Sequence, residues 1–413
     1  MKHLLLTIAT VLAMTLCGQA KSFDDSRLPQ SAIKALENAI FLFDSGLYEA
    51  ALQDYDKLAH DYPDSYVIQY ERLTALYKLG RYDEVEKIAK NVMKFDNADA
   101  LIYHIYGNAL DNQGKRKKAI KIYKQGLKRF PDAGMLYLEI GIINLHEQNY
   151  KDAFLQFQAG LDADPDFASN YYRAAQLLFA ANGDTGNRVW AMVYGETSVL
   201  LSPNRKERVS EMGQDMRKMW QENIQFTTDS VGALKAKVSL VKERGITVDP
   251  KCDVAMLALP GVFEGLATLA VDENLGMMNP FTGSLKQLIA LRKGIVENYF
   301  KITDNLYGNS MYLFPYLKSL IDAGHWEAYN CYLFGTQFPE DMKAWIEANP
   351  GKIDEFAAWF QKHPFSLDAT HTVSDRQIGR DCRKLNLVEA MMISAGLMSG
   401  EKPTPIPAPD DNE

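Results

Sequence analysis

The chain has 413 residues, of which 47% are hydrophobic and 24% charged, and its formal net charge is −8. This is the composition of a folded globular protein, which excludes collagen-like and low-complexity architectures. The negative average field also argues against nucleic acid as a partner, because phosphate binding needs positive potential.

In chain order, Met1, Lys2 and His3 form a short basic start, and Leu4 to Leu16 is an apolar run interrupted only by threonines. Gly18, Gln19 and Ala20 supply small residues at a signal-peptidase site, so residues 1–20 are expected to be an export signal cleaved after Ala20. Attachment of a lipid at Cys17 is the less favoured alternative, since a lipoprotein signal wants a small residue where Leu16 stands. No later stretch reaches the roughly 20 apolar residues of a transmembrane helix. The expectation is an exported protein, periplasmic or envelope-associated, with no transmembrane segment. Cys252, Cys331 and Cys382 are widely spaced and form no CxxC pair. They suggest neither a disulfide framework nor a zinc site, and leave open whether one disulfide joins any two of them.

From residue 32 the chain repeats itself. Gly46, Gly80 and Gly114 fall 34 residues apart, each followed five positions later by Ala51, Val85 or Ala119, and Gln148 with Ala153 continues the series. Pro63-Asp64, Pro131-Asp132 and Pro165-Asp166 keep the same register. Between these marks apolar residues recur every three or four positions, as in Tyr103, Tyr106, Leu110, Ile120, Tyr123 and Leu127, which is the helical period. The prolines are expected to stop outgoing helices and the aspartates to cap incoming ones. Each unit therefore reads as a two-helix hairpin that turns at the glycine.

On these residues the sequence resembles the tetratricopeptide-repeat family. Gly107, Ala119, Tyr123 and Pro131 in the third unit, and Gly141, Ala153, Phe157 and Pro165 in the fourth, meet the family pattern of small residues, a late aromatic and a closing proline. The second unit departs from it, with Leu73, Val85 and Asn97 in three of those places. A fifth copy runs from Ala168 to Pro203, with surplus length in a loop at residues 182–187. The resemblance implies an all-α fold: a helical-hairpin superhelix of five repeats over residues 32–203, followed by a second, mostly helical domain.

Residues 204–226 read as one more helix, with Val209, Met212, Met216, Met219 and Trp220 at helical spacing. Two readings stand, a helix capping the repeats and a methionine stripe facing a partner, and the first is preferred. Residues 228–400 lose the 34-residue ruler yet keep helix-length periodicity over 263–271, 284–300, 312–323, 326–334, 340–348 and 352–361. Within them, the stretch from Tyr316 to Tyr329 is either a degenerate repeat or simply a tight hairpin. A short β-element is an alternative near residues 235–241. The prolines and acids of residues 401–413 predict a disordered tail.

No catalytic residues, no metal and no cofactor are expected. His325, His363, His371 and Cys382 lack metal-ligand spacing. Asp368, His371 and Asp375 are accompanied by no nucleophile motif and read as a solvated polar loop. The glycines at 183 and 186 precede no phosphate-binding helix. The densest basic run, Lys115 to Lys118 with Lys121, Lys124 and Lys128, reads as a solvated face, with an acidic partner or an anionic lipid surface as the alternative.

The resemblance directs attention to the first helix of each repeat, which in that family lines a concave groove. Carried over position by position, the partner-binding candidates are Tyr70, Thr74 and Tyr77; His104, Asn108, Asp111 and Asn112; and Tyr172, Arg173 and Gln176, with Leu138, Ile142 and Leu145 on the fourth repeat. Aromatic and hydrogen-bonding groups together suit an extended peptide. The family's carboxylate-gripping set of lysines, asparagines and an arginine is not met: Asn108 and Arg173 match in type, but the lysines are missing. The expected function is a protein or peptide scaffold in the cell envelope. A glycan-binding protein is the alternative, weakened because Trp190, Trp220, Trp326, Trp345 and Trp359 all lie on helical patterns that look buried. An enzyme within residues 228–400 is the third and weakest reading.

Overall fold

The computed structural model describes residues 23–181, 188–240, 255–303 and 307–376. The expected signal peptide, the loop at 182–187, Cys252, Cys382 and the acidic tail lie outside the described residues. Those that are described form eighteen α-helices and a single two-stranded sheet, the all-α class expected. The chain divides between Gln156 and Phe157 into two compact units.

In the first unit, helices α1 (Gln30–Asp44) and α2 (Tyr48–Asp61), α3 (Tyr66–Lys78) and α4 (Tyr82–Val92), and α5 (Ala100–Asn112) and α6 (Arg116–Arg129) pair as hairpins. They are followed by α7 (Gly134–His146) and the start of α8 (Tyr150–Ala163). The first helices α1, α3, α5 and α7 each touch the next. Every turn is built alike. In the third repeat the amide of Gly114 donates to the Asp111 carbonyl at 2.7 Å and that of Lys115 to the Leu110 carbonyl at 2.8 Å, the paired bonds that close a helix on a left-handed residue. The same pair recurs around Gly46, Gly80 and Gln148. The glycines have φ of +79°, +73° and +73°, where a Cβ is strained, whereas Gln148 adopts φ +59° with a side chain.

Small residues let paired helices approach. A Cβ on Gly107 would lie 2.0 Å from Cε1 of Tyr123, so only glycine fits against that ring. The prolines stop helices as expected, since α2, α6 and α8 end two residues before them. The paired aspartates, however, do not cap. Helix α3 is capped by Ser65 and α5 by Asp99, while α7 and α9 have no side-chain cap at all, and Asp166 accepts instead from the Leu367 amide at 2.9 Å.

The second unit contains the end of α8, the hairpin of α9 (Ala168–Ala180) and α10 (Arg188–Leu201), and α11 (Lys206–Asn223). Helix α10 is buried from Val189 to Leu200, as a central helix must be when its neighbours cover every side. The α11 stripe of Val209, Met212, Met216, Met219 and Trp220 is buried too, so it belongs to the core and not to a partner. The expected helix at 204–226 is shorter than read: Ile224 already begins β1 (Ile224–Thr228), which pairs antiparallel with β2 (Leu234–Val238). The β-element near residue 235 is therefore real, with a partner strand that helical periodicity concealed.

Helices α12 (Ala255–Asp272), α13 (Leu275–Met278), α14 (Leu285–Thr303), α15 (Leu313–Asp322), α16 (Trp326–Phe334), α17 (Pro339–Ala348) and α18 (Lys352–Lys362) complete the unit. The α15–α16 turn at Gly324 repeats the paired bonds of the first unit, with φ +75° and the His325 amide 2.9 Å from the Leu320 carbonyl. Five residues on, however, stands the buried Tyr329, where the repeats place Ala51, Val85, Ala119 and Ala153. The turn is shared and the packing is not, which makes this a tight hairpin lacking the repeat's small contact residue.

Candidate functional site

In the first unit the expected binding residues share one strip of the first helices. Tyr70, Thr74, Tyr77, His104, Asn108 and Asp111 are half-buried and Asn112 is exposed. Hydrogen bonds run across the repeats. Asn112 Nδ2 donates to the Tyr77 hydroxyl at 2.9 Å, joining α5 to α3, and His104 Nε2 lies 3.0 Å from Glu139 Oε1, joining α5 to α7. Asn108 sits between these links, its Nδ2 3.2 Å from His104 Nε2 and its Oδ1 accepting from the buried Tyr123 hydroxyl. Asp111 turns aside to Arg116, 3.6 Å away, at the hairpin turn. Thr74 bonds its own helix at the Glu71 carbonyl, 2.7 Å away. Leu138, Ile142 and Leu145 are half-buried on α7.

Burial pushes the Tyr70 hydroxyl up to about 12, helped by the charges of Glu71 and Asp99, so this phenol stays protonated and can donate. Glu71 is raised by burial and by Asp44 beside it.

Glu71 and Glu139 are absent from the residues that the sequence singles out, yet they belong to this strip. A signal exists: positions 71, 105, 139 and 173 stand 34 apart and hold Glu, Ile, Glu and Arg. Selecting for aromatic and neutral polar groups passes over the acids, while the ruler alone includes them.

In the second unit, Tyr172 and Gln176 of α9 gather around Glu211 of α11, and Arg173 donates to Gln176 Oε1 at 2.8 Å. Gln176 Nε2 donates to Glu211 Oε1 at 2.6 Å and to the Tyr172 hydroxyl at 2.9 Å, and that hydroxyl donates to Glu211 Oε2. The Arg208 guanidinium stacks over the Tyr172 ring at 4.4 Å. Burial, followed by the bond to Glu211, pushes the Tyr172 hydroxyl up to about 12. These three residues thus come together, mostly engaged with one another and with α11.

Asp375 corrects the sequence reading outright. It is 1% exposed rather than solvated, accepting from Tyr194 at 2.7 Å and from Gln158 Nε2 at 2.6 Å. Burial raises its carboxyl above the ordinary range, against the opposing bond from Tyr194. Asp368 does lie in an exposed turn, with His371 half-buried beside it, and Asp368 is held well below the usual carboxylate range chiefly by Thr370 and the His371 amide. Trp345 and Trp359 are half-buried, unlike Trp190, Trp220 and Trp326, so the expectation that all five tryptophans are buried fails for two.

Among the described residues no cluster of three His, Cys, Asp or Glu side chains could hold a metal ion, and no helix is long and apolar enough to cross a membrane. What the two clusters offer chemically is an array of oriented donors and acceptors.

A family model described as tetratricopeptide repeat matches residues 36–84 and 107–182. No curated protein matches the chain. Solved structures similar to it include YrrB, described as a TPR protein with an unusual peptide-binding site, at 18% identity and a TM-score of 0.30, covering 43% of this chain and 90% of that one. Another is a thermophilic TPR protein of Thermus thermophilus, at 16% identity and a TM-score of 0.37, covering 45% and 98%. A third is PilW, described as a widely conserved type IV pilus biogenesis factor, at 16% identity and a TM-score of 0.35, covering 48% and 94%. With their 34-residue register and glycine-closed hairpins, residues 36–84 and 107–182 are tetratricopeptide repeats.

Proposed function

We propose that this chain is a scaffold of the bacterial cell envelope that holds an extended protein or peptide segment against the first helices of its repeats. The repeat fold is one of protein–protein interaction. The observation that carries the finer reading is the half-buried strip from Tyr70 to Glu139, in which three successive first helices present linked donors and acceptors beside aromatic rings. An extended segment leaves its own amides and carbonyls unpaired, and such a strip can satisfy them. The envelope location rests on the apolar start of the chain and its Gly18-Gln19-Ala20 site.

Cross-linking in intact cells followed by mass spectrometry tests the scaffold role. The parent chain is expected to retain a defined partner, and His104→Ala with Asn112→Ala to recover at least about tenfold less, which corresponds to losing roughly 1.4 kcal/mol of binding. Equal recovery from both removes the reading. Cell fractionation with N-terminal sequencing tests the location, Lys21 being the expected first residue; a chain retained in the cytoplasm with Met1 intact contradicts it.

One observation favours a second reading, glycan binding: Trp359 is only half-buried, with His363 stacked on its ring at 4.7 Å. Thermal shifts in a panel of oligosaccharides, abolished by Trp359→Ala, support it, and a silent panel sets it aside.

A further inference from the structure

Helix α6 carries seven basic residues and no acidic one. Two of the seven are engaged within the chain. Arg116 lies 3.6 Å from Asp111, and Arg129 donates to the carbonyls of Phe95 and Asp96 at 3.2 and 3.0 Å. The five lysines between them, Lys117, Lys118, Lys121, Lys124 and Lys128, are exposed, and among the described residues none is within ion-pair distance of a carboxylate.

The preceding repeat continues this surface. Lys87, Lys90 and Lys94 of α4 and the turn after it stand 34 residues before Lys121, Lys124 and Lys128, in the same register, and all six are exposed. The two helices are tied at both ends. At the start of α6, Lys115 Nζ is 2.9 Å from Glu86 and Gln113 Nε2 donates to Asp83 at 3.2 Å; at its end, Arg129 holds the carbonyls that follow α4. Side chains three and four apart share a helix face, so each helix carries a row of lysines, and the repeat register sets the two rows in step. The nearby acids are mostly occupied, Glu84 by Arg81 and Glu86 by both Lys90 and Lys115.

In the fourth repeat the same register changes character. Lys151 matches Lys117, but Leu155 stands where Lys121 and Lys87 stand, 38% exposed, and Tyr150 nearby is 58% exposed.

We propose that the second helices of repeats two to four form a docking surface for an anionic phospholipid bilayer. Charge complementarity selects an anionic partner. The residue types select a fluid array of phosphates over a fixed polyanion: lysines are compact hydrated point charges, and the two arginines of α6, whose forks suit bidentate recognition, are engaged within the chain, Arg116 with Asp111 and Arg129 with backbone carbonyls. Exposed aromatic and aliphatic side chains beside the lysines match the composition of surfaces that lie in a lipid interface. A chain of net charge −8 has no general attraction to polyanions, so attraction must come from this local patch and must orient the molecule. The inference is independent of the first-helix strip, so the two readings fail separately.

The test is co-sedimentation of the full chain with vesicles of phosphatidylcholine alone and of phosphatidylcholine with a third phosphatidylglycerol. Binding is expected only to the anionic vesicles and is expected to weaken as salt rises. Lys121→Glu with Lys124→Glu is expected to lower the partition coefficient by about tenfold or more, and Leu155→Ser by about threefold. The equally charge-reversing pair Lys34→Glu and Lys78→Glu, on first helices, is expected to leave binding unchanged, with all variants melting at the parent's temperature. Equal binding to neutral vesicles overturns the proposal. So does unchanged binding after reversal of Lys121 and Lys124, and so does a chain that ignores vesicles but binds polyglutamate or DNA through these lysines.

Discussion

The two units of the molecule are held together at different ranges of sequence. In the first, the contacts that fix the fold recur every 34 residues: a left-handed turn residue and a small residue five positions on, joined in the third repeat by the Tyr123 ring against Gly107. In the second, the decisive contacts join distant residues. Arg292 pairs with Glu196, 96 residues away, and with Asn330, inside a ring of Trp326, Tyr329 and Phe334. Gln158 reaches Asp375 across 217 residues, and Tyr194 across 181. A periodic unit distributes its stability over equivalent small terms, whereas a unit keyed by buried charge concentrates it in a few.

The largest expected effect lies in the second unit. Arg292→Met removes the counter-ion of Glu196, leaving it only the Tyr329 hydroxyl, in a site where both side chains are below 10% exposed, and should cost about 3–5 kcal/mol. Tryptophan fluorescence reports this cleanly, since all five tryptophans fall after residue 157. Replacing both members, with Glu196→Leu added, should recover most of the loss. A cost under about 1 kcal/mol for the single change would mean that this pair does not key the unit.

In the first unit, Gly107→Val drives a side chain into the Tyr123 ring and should cost about 1–3 kcal/mol, measured by circular dichroism in denaturant. Smaller still, Gly80→Ala and Gly114→Ala should each cost about 1 kcal/mol, and by similar amounts, because their turns are equivalent. The sign should reverse in the fourth repeat. Gln148→Gly removes a side chain held at φ +59° and should stabilise by about half a kcal/mol. Unequal costs at Gly80 and Gly114, or a loss at Gln148, would show that the repeats are not energetically alike.

The last prediction concerns pH. Burial raises Asp375 in the native state, so that state holds the proton more tightly than the unfolded chain does. Its contribution to stability is then fully present below the unfolded carboxylate value and is lost as pH rises through the raised native one. Asp375→Asn, to which Gln158 can turn its amide, should flatten this fall, the variant gaining on the parent as pH rises toward neutral. A stability difference that does not change with pH would contradict the assignment of burial as the cause.

This contrast also explains what can be read from the residues alone. Gly46, Gly80 and Gly114 announce the hairpins because the turn's geometry is local, and the helix pairs follow from it. The first-helix strip is legible as a position, from Tyr70 to Asn112, but Glu71 and Glu139 escape when side-chain type is set above register. Asp375 looks like a loop residue because its partners lie on helices nearly two hundred residues earlier. The α11 methionines are ambiguous for a similar reason, since periodicity identifies an apolar face without saying what covers it. Asp64, Asp132 and Asp166 mislead in the opposite way, a good capping residue standing one place before the position that caps.

The claim that the first-helix strip holds another polypeptide is tested most directly by placing a photo-crosslinking residue at Asn112, which is exposed on that strip, and at Gln53, which is exposed on a second helix. Irradiation of living cells should give a discrete adduct with a different protein from position 112 and none from position 53. An adduct joining position 112 only to this chain's own residues, or identical products from both positions, would contradict the account.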